Sequence, residues 1–135
     1  MRFEAHSPTR TGDPIRGLSR KITQETIRRY ADASGDHNPL HVDPEFAATT
    51  RFGGPIAHGM LVLAYLSESL TEAFGKRWLE SGCLKARFRG AARPGDTITV
   101  SGKVTGVDAG NISCEISAYN QAGETLVSAE AQVRA

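Results

Sequence analysis

Asp36, Asn38 and His41 bring a carboxylate, an amide and an imidazole into six residues of chain, inside the octapeptide Ser34-Gly35-Asp36-His37-Asn38-Pro39-Leu40-His41. A carboxylate beside an imidazole is an acid–base pair, in which one group gives a proton while the other takes one. Gly35 lets the backbone turn, and Pro39 stops a continuous helix through the middle. Pro39 also drives Asn38 towards an extended conformation. Asp36 and His41 are therefore expected on an irregular loop, where polar groups can converge. Each residue also has a plainer reading. Asp36 suits an N-cap or an Asx-turn, Asn38 before Pro39 is ordinary turn chemistry, and His37 and His41 suit an exposed surface. His37 and His41 are four residues apart, which would suit a metal on a helix, but Pro39 removes that geometry and no metal is expected.

The flanking sequence supplies elements to hold this segment. Ile15, Leu18 and Ile22 alternate weakly and suggest an edge strand. Thr23 is an N-cap, Glu25 lies in a first turn, and Ile27, Tyr30 and Ala31 recur at helical spacing as far as Ser34. Asp43-Pro44-Glu45 reads as N-cap, N1 proline and first-turn acid of a short helix to about Thr49, with Phe46 as its inward anchor. Arg51-Phe52-Gly53-Gly54-Pro55 is a loop. A long helix is expected over 58–74. Its first half, Met60 to Leu66, is apolar on every face and so should be buried all round. Met60, Leu63, Tyr65 and Leu66 read mostly as core. Gly75 ends the helix, and His58 is expected to fix the turn before it by hydrogen bonding.

After Gly75 the period drops from 3.6 to 2. Leu84, Ala86 and Phe88 alternate with Lys85, Arg87 and Arg89. The same alternation recurs over Ile98–Val104, Ile112–Ala118 and Val127–Val133. Such patterning means antiparallel strands with one buried face, and turns fall at 93–96, 108–111 and 120–123. The expected class is α+β: one fully buried central helix and a meandering antiparallel sheet against it.

The chain has 135 residues, the size of one domain. Residues 1–14 carry Pro8, Gly12 and Pro14 and suggest a loosely held N-terminal arm, with the domain over 15–135. A net charge of +1 supplies no field for nucleic acid or an anionic membrane. The longest apolar run, Met60–Leu66, falls far short of the ~20 residues that span a bilayer. The N-terminus lacks an apolar signal-peptide region. Cys83 and Cys114 form no CxxC pair and read as small buried core thiols. A soluble cytoplasmic protein is expected. A long substrate pocket in so small a body favours help from a partner subunit.

Tyr30, the octapeptide, Phe46-Ala47-Ala48 and Pro55-Ile56-Ala57-His58-Gly59-Met60-Leu61, in this order with four strands after the helix, resemble the MaoC-like (R)-specific enoyl-CoA hydratases. The resemblance covers about residues 15–135. It implies the hot-dog fold and reversible syn addition of water to a trans-2-enoyl thioester, giving an (R)-3-hydroxyacyl thioester. It implies that Asp36 and His41 are the catalytic pair, that Asn38 shapes the loop, and that the Gly59 N–H binds the thioester carbonyl. That last role has physical support, because the first N–H groups of a helix are unpaired and lie at its positive end. A glycine also lets a carbonyl oxygen approach closely, and a fixed N–H stabilises the charge that builds there. The plainer reading is that Gly59 begins the helix or permits tight packing. No cofactor is implied beyond the coenzyme A or phosphopantetheine of the substrate. Arg87, Arg89 and Arg93 are candidate phosphate contacts, with a solvated strand face as the ordinary alternative; Arg51 is ambiguous in the same way. A homodimer or dimer of dimers is implied as well. The competing readings are a hot-dog acyl thioesterase and a non-catalytic partner subunit of a heteromeric dehydratase.

Overall fold

Period-two patterning becomes strand wherever it occurs. In the computed structural model, which describes residues 7–135, the strands are β1 (Pro14–Lys21), β2 (Cys83–Phe88), β3 (Thr97–Asp108), β4 (Asn111–Tyr119) and β5 (Thr125–Arg134). They form one antiparallel sheet. In β3, β4 and β5 the apolar half of the alternation faces inward: Ile98, Val100 and Val104, then Ile112, Cys114, Ile116 and Ala118, then Val127, Ala129, Ala131 and Val133 are all buried; in β2, Leu84 and Ala86 are only half-buried and Phe88 is exposed. The helices are α1 (Gln24–Ser34), α2 (Pro39–Val42), α3 (Pro44–Ala48), α4 (Gly59–Phe74) and α5 (Lys76–Ser81). The sheet curls against α4, which is the arrangement of a hot-dog domain. Leu66 and Leu70 of α4 are completely buried, and removal of either side chain from water contributes about 1.5–3 kcal/mol.

Two expectations about the main elements need correction. The strand order is β1-β3-β4-β5-β2, so only β3, β4 and β5 run as a meander. The chain leaves β1, passes through the helices and enters the sheet again at the far edge. There Cys83 pairs with Gln132 and Phe88 with Val127. The second concerns α4, which is not buried all round. Leu61, Val62, Tyr65 and Leu66 face the sheet, but Met60 is 54% exposed, Ala64 is exposed and Leu63 is half-buried. One curled sheet covers only one side of a helix, and the opposite apolar stripe stays open.

The smaller elements follow from local chemistry. Thr23 caps α1 by accepting from the Thr26 N–H at 3.0 Å. Gly35 ends α1 in the left-handed region at φ 78°, where a Cβ would be strained. Helix α5 carries no periodic signal: its one buried residue is Trp78, whose Nε1–H donates to Ser67 Oγ at 3.0 Å. Residues 1–6 of the expected arm lie outside the described residues. The remainder is tied down, not loose: Gly12 N–H donates to the Val104 carbonyl and Val104 N–H to the Asp13 carbonyl, both at 2.8 Å. The Asp13 carboxylate accepts from the Thr9 and Arg10 N–H groups, which hold its pKa below the usual carboxylate value. Both cysteines are free thiols, but only Cys114 is a core thiol; Cys83 is exposed. Burial pushes the Cys114 thiol up to about 11. No helix among the described residues is long and apolar enough to cross a membrane.

Candidate active site

From Ser34 to Leu40 the chain is held by a ladder of side chain to main chain bonds, each reaching two residues ahead. Ser34 Oγ accepts from Asp36 N–H at 3.2 Å, Asp36 Oδ1 from Asn38 N–H at 3.2 Å, and Asn38 Oδ1 from Leu40 N–H at 3.0 Å. Each bond is the local turn chemistry that short polar side chains offer. The last of them caps α2, with Pro39 in its first turn. Pro39 therefore starts a helical turn instead of leaving an irregular loop through His41. At the first helical position its missing N–H costs nothing and its fixed φ is already helical. Asp43 then caps α3 by accepting from the Glu45 and Phe46 N–H groups. Phe46 is not the inward anchor of α3: it is 48% exposed, and Ala47 is the buried residue. A helix of five residues presents little more than one turn, so a one-residue change of register moves its anchor.

Three hydrogen bonds stitch this segment to the one before α4. His41 Nδ1–H donates to the Ile56 carbonyl at 2.8 Å. The Ile56 N–H donates to the Leu40 carbonyl at 3.3 Å. His58 Nε2–H donates to the main-chain carbonyl of Asp36 at 2.9 Å. From α1, Gln24 Nε2 donates to the His41 carbonyl at 2.9 Å. The His41 and His58 rings stack with centroids 3.9 Å apart and planes 26° from parallel. An Asp36 carboxylate oxygen and one nitrogen from each ring lie within 4.8 Å of one another.

These bonds fix the tautomer of His41. A carbonyl can only accept, so Nδ1 carries the proton and Nε2 presents its lone pair. The Asp36 side chain is exposed, and His41 is half-buried. One group of the pair therefore meets solvent while the other is oriented by the fold, an arrangement that can take a proton from water and return one nearby. The same cluster is poorly arranged for a metal. Two nearly parallel stacked rings keep their lone pairs in separate planes, whereas metal ligands must converge on one point.

Gly59 follows His58 directly and opens α4. Among the described residues nothing accepts from its N–H, so that donor points from the positive end of the helix without a partner. Phe88 of β2 packs beside it: a Cβ built on Gly59 would lie 3.0 Å from Phe88 Cδ1 and Cε1. The Phe88 ring is 53% exposed, so the amide sits at an open, partly aromatic mouth.

Asp36, Asn38, His41 and Gly59 thus belong to one assembly. His37 lies apart, with Nε2 2.9 Å from Asp32 Oδ1, and that carboxylate pushes its pKa up. Arg87 and Arg89 lie along an open groove on the outer face of the sheet with Lys85, and Arg89 Nε donates to Ser128 Oγ. Arg93 is in the β2–β3 connection and donates to the Phe52 carbonyl. Arg51 stacks on the Phe52 ring at 4.9 Å. Sequence reasoning missed Gln24 and Phe88, and it gave His58 a hydrogen-bonding role without naming its partner. No side-chain cap bond joins His58 to α4; its bond reaches back to Asp36.

Comparison with known proteins agrees with this geometry. Residues 6–125 match the family described as MaoC like domain. The chain is 34% identical over 120 residues to a protein of Aeromonas caviae named (R)-specific enoyl-CoA hydratase, covering 87% of this chain and 89% of that one. It is 39% identical over 95 residues to 3-hydroxyacyl-thioester dehydratase Z of Mycobacterium tuberculosis, covering 67% of this chain but only 63% of the relative. The solved structure of the R-hydratase PhaJ1 from Pseudomonas aeruginosa superposes with a TM-score of 0.81 at 28% identity, over 94% of this chain and 82% of that one. The family match takes in both motif blocks, α4 and all of the sheet except most of β5, and on that ground the chain belongs to the MaoC-like dehydratase family.

Proposed function

We propose that this chain is a homodimeric, cytoplasmic (R)-specific enoyl-CoA hydratase that adds water reversibly and syn to trans-2-enoyl thioesters. The observation that carries this reading is the commitment of His41 Nδ1–H to the Ile56 carbonyl. It leaves Nε2 as the proton acceptor of a ring that has one nitrogen within 4.8 Å of an Asp36 carboxylate oxygen, close to the start of α4. Water held by Asp36 and His41 gives its oxygen to C3 and one proton to the pair. The C2–C3 π electrons move towards the thioester carbonyl, whose oxygen gains charge against the Gly59 N–H. A proton from the pair then closes the C2–H bond. The two groups act as one coupled proton store. The steps are addition of the water oxygen at C3 and two proton transfers beside an electron-withdrawing thioester, none of which changes the overall redox level. The names of the Aeromonas caviae and Mycobacterium tuberculosis relatives agree with this reaction class.

Dimerisation suits the surface. Strand β2 pairs with β5 on one side only, and Met60 and Phe88 leave apolar area open near Gly59. Pairing of edges would cover both. Free thiols at Cys83 and Cys114 agree with a reducing compartment.

The test is incubation with crotonyl-CoA, following loss of enoyl absorbance, the chirality of the product and release of free thiol, with light scattering for mass. Hydration to the (R)-3-hydroxy product by a dimer is expected. An (S) product overturns the assignment. Thiol release without hydration points to a thioesterase, and activity that appears only with a second, different chain points to a partner subunit.

A further inference from the structure

We propose that His58 is a positioning residue of this site, held as the Nε2–H tautomer so that one ring edge fixes the Asp36 main chain while the ring face carries the His41 imidazole. The proposal rests on the hydratase reading for its kinetic consequence, but not for its geometry.

His58 is 2% exposed, so its polar ring lies almost wholly out of water. Its Nε2–H reaches the Asp36 carbonyl across 22 residues of sequence. Its Nδ1 is buried with no hydrogen-bond partner. Leaving a buried nitrogen unpaired is unfavourable, and an apolar ring of the same size would avoid it. The ring is therefore kept in this fold for what its other nitrogen does. It makes no bond to the first turn of α4, so capping does not explain it. The groups around it are His41, stacked at 3.9 Å, Tyr30, with ring centroids 4.8 Å away, and Asp36.

The tautomer decides whether the clamp exists. With its proton on Nδ1, His58 would set a lone pair on Nε2 against the Asp36 carbonyl oxygen at 2.9 Å, and two acceptors at that distance repel. The Asp36 main chain would then swing away from His41. With its proton on Nε2, the clamp holds, and the face of an uncharged ring lies against His41. The stack holds the plane of the His41 ring, so that its Nε2 keeps one direction when it takes a proton from water. His58 touches neither the water nor the substrate in this scheme; it acts through Asp36 and His41.

Two substitutions separate the clamp from the face. His58→Phe keeps the face and loses the donor. His58→Gln keeps a donor near the Nε2 position and loses the face. Loss of the clamp should lower kcat of His58→Phe by roughly 10²-fold, the scale expected when a reacting group is misplaced by about 1 Å, with KM changed less than about threefold. His58→Gln should retain kcat within about tenfold of the parent, as a partial rescue. Wild-type kcat in His58→Phe, a loss confined to KM, or a His58→Gln variant slower than His58→Phe each overturns the proposal. Nitrogen-15 NMR of the unmutated protein gives an independent measurement: Nε2 should show a protonated, pyrrole-type shift and Nδ1 an imine-type shift. The reverse pattern overturns the proposal even if both variants fail to fold. If the unmutated protein hydrates no enoyl thioester, the functional reading falls, and the NMR result alone still decides the clamp.

Discussion

Replacing Gly59 by alanine separates a catalytic glycine from a packing glycine, because the structure assigns very different costs to the two. A Cβ at this position would sit 3.0 Å from two carbons of the Phe88 ring. The optimum for such a contact is about 3.5–4.0 Å, so the ring must retreat by roughly 0.5–1 Å. Within its own chain Phe88 is more than half exposed on an edge strand, and little in that chain resists the movement. The folding cost should be below about 1 kcal/mol, offset in part by the helix propensity of alanine over glycine, which is up to about 1 kcal/mol. At this chain length Tm should stay within about 5 °C of the parent. Catalysis is affected differently. In the proposed mechanism the thioester oxygen reaches the Gly59 N–H beside Phe88, where the methyl group and the displaced ring would crowd it. Loss of one such donor to a developing oxyanion costs about 10²–10³-fold, or about 2.7–4 kcal/mol. Crotonyl-CoA hydration should therefore fall about 10²-fold in kcat/KM while a thermal melt barely moves. Adding Phe88→Ala should recover part of the loss by giving the ring's space back. A parental kcat/KM in Gly59→Ala refutes the role of the amide. A Tm drop of 10 °C or more refutes the packing arithmetic.

Asp36→Asn and His41→Ala should each lower kcat at least about 10²-fold, with Asp36→Asn melting as the parent does because its side chain is exposed; hydration assays and melts check both. Gly17→Ala should act on stability alone, since a Cβ there would lie 2.5 Å from the main-chain oxygen of Val100, which cannot swing aside; a loss of about 1–3 kcal/mol is expected, and an unchanged melting curve would count against it. For the thiols, a modifying reagent at pH 8 should label Cys83 and spare Cys114 until the protein unfolds. The raised Cys114 value also has a sign in stability. Between its ordinary value of 9.0 and about 11, the unfolded chain loses the proton first. Stability should therefore fall as pH rises through that window, and denaturant melts at pH 8 and 10.5 in the parent and Cys114→Ala compare the slopes.

How much of this was legible in the sequence depended on the range of the interaction. Period-two runs predicted the strands and their buried residues because strand facing is a local property of alternation. The caps Thr23, Asn38 and Asp43 lie within local polar patterns, although the sequence suggests a break at Pro39 where a helical turn starts. Helix α5 escaped because six residues with one anchor, Trp78, show no period. The open stripe at Met60 and Ala64 escaped because an apolar sequence does not state how much sheet will be available to cover it. The edge position of β2 escaped because pairing with β5 is settled by the whole chain. At the site, residue types and spacing pointed to Asp36, Asn38 and His41, and the family resemblance added Gly59. The bond from His58 to Asp36, and the one from Gln24 to His41, join residues 22 and 17 positions apart, and neither has a sequence pattern.

The position of β2 bears on how the protein is made. On a ribosome, β2 emerges well before β5, its partner in the sheet. Until β5 is synthesised and docks, β2 has no neighbour to set its register, and Phe88 has no fixed place beside Gly59. The Asp36–His41 segment can form its local turns earlier. Completion of the mouth around the amide must wait for the β4–β5 hairpin, so the nascent chain acquires its complete site only after β5 has been made.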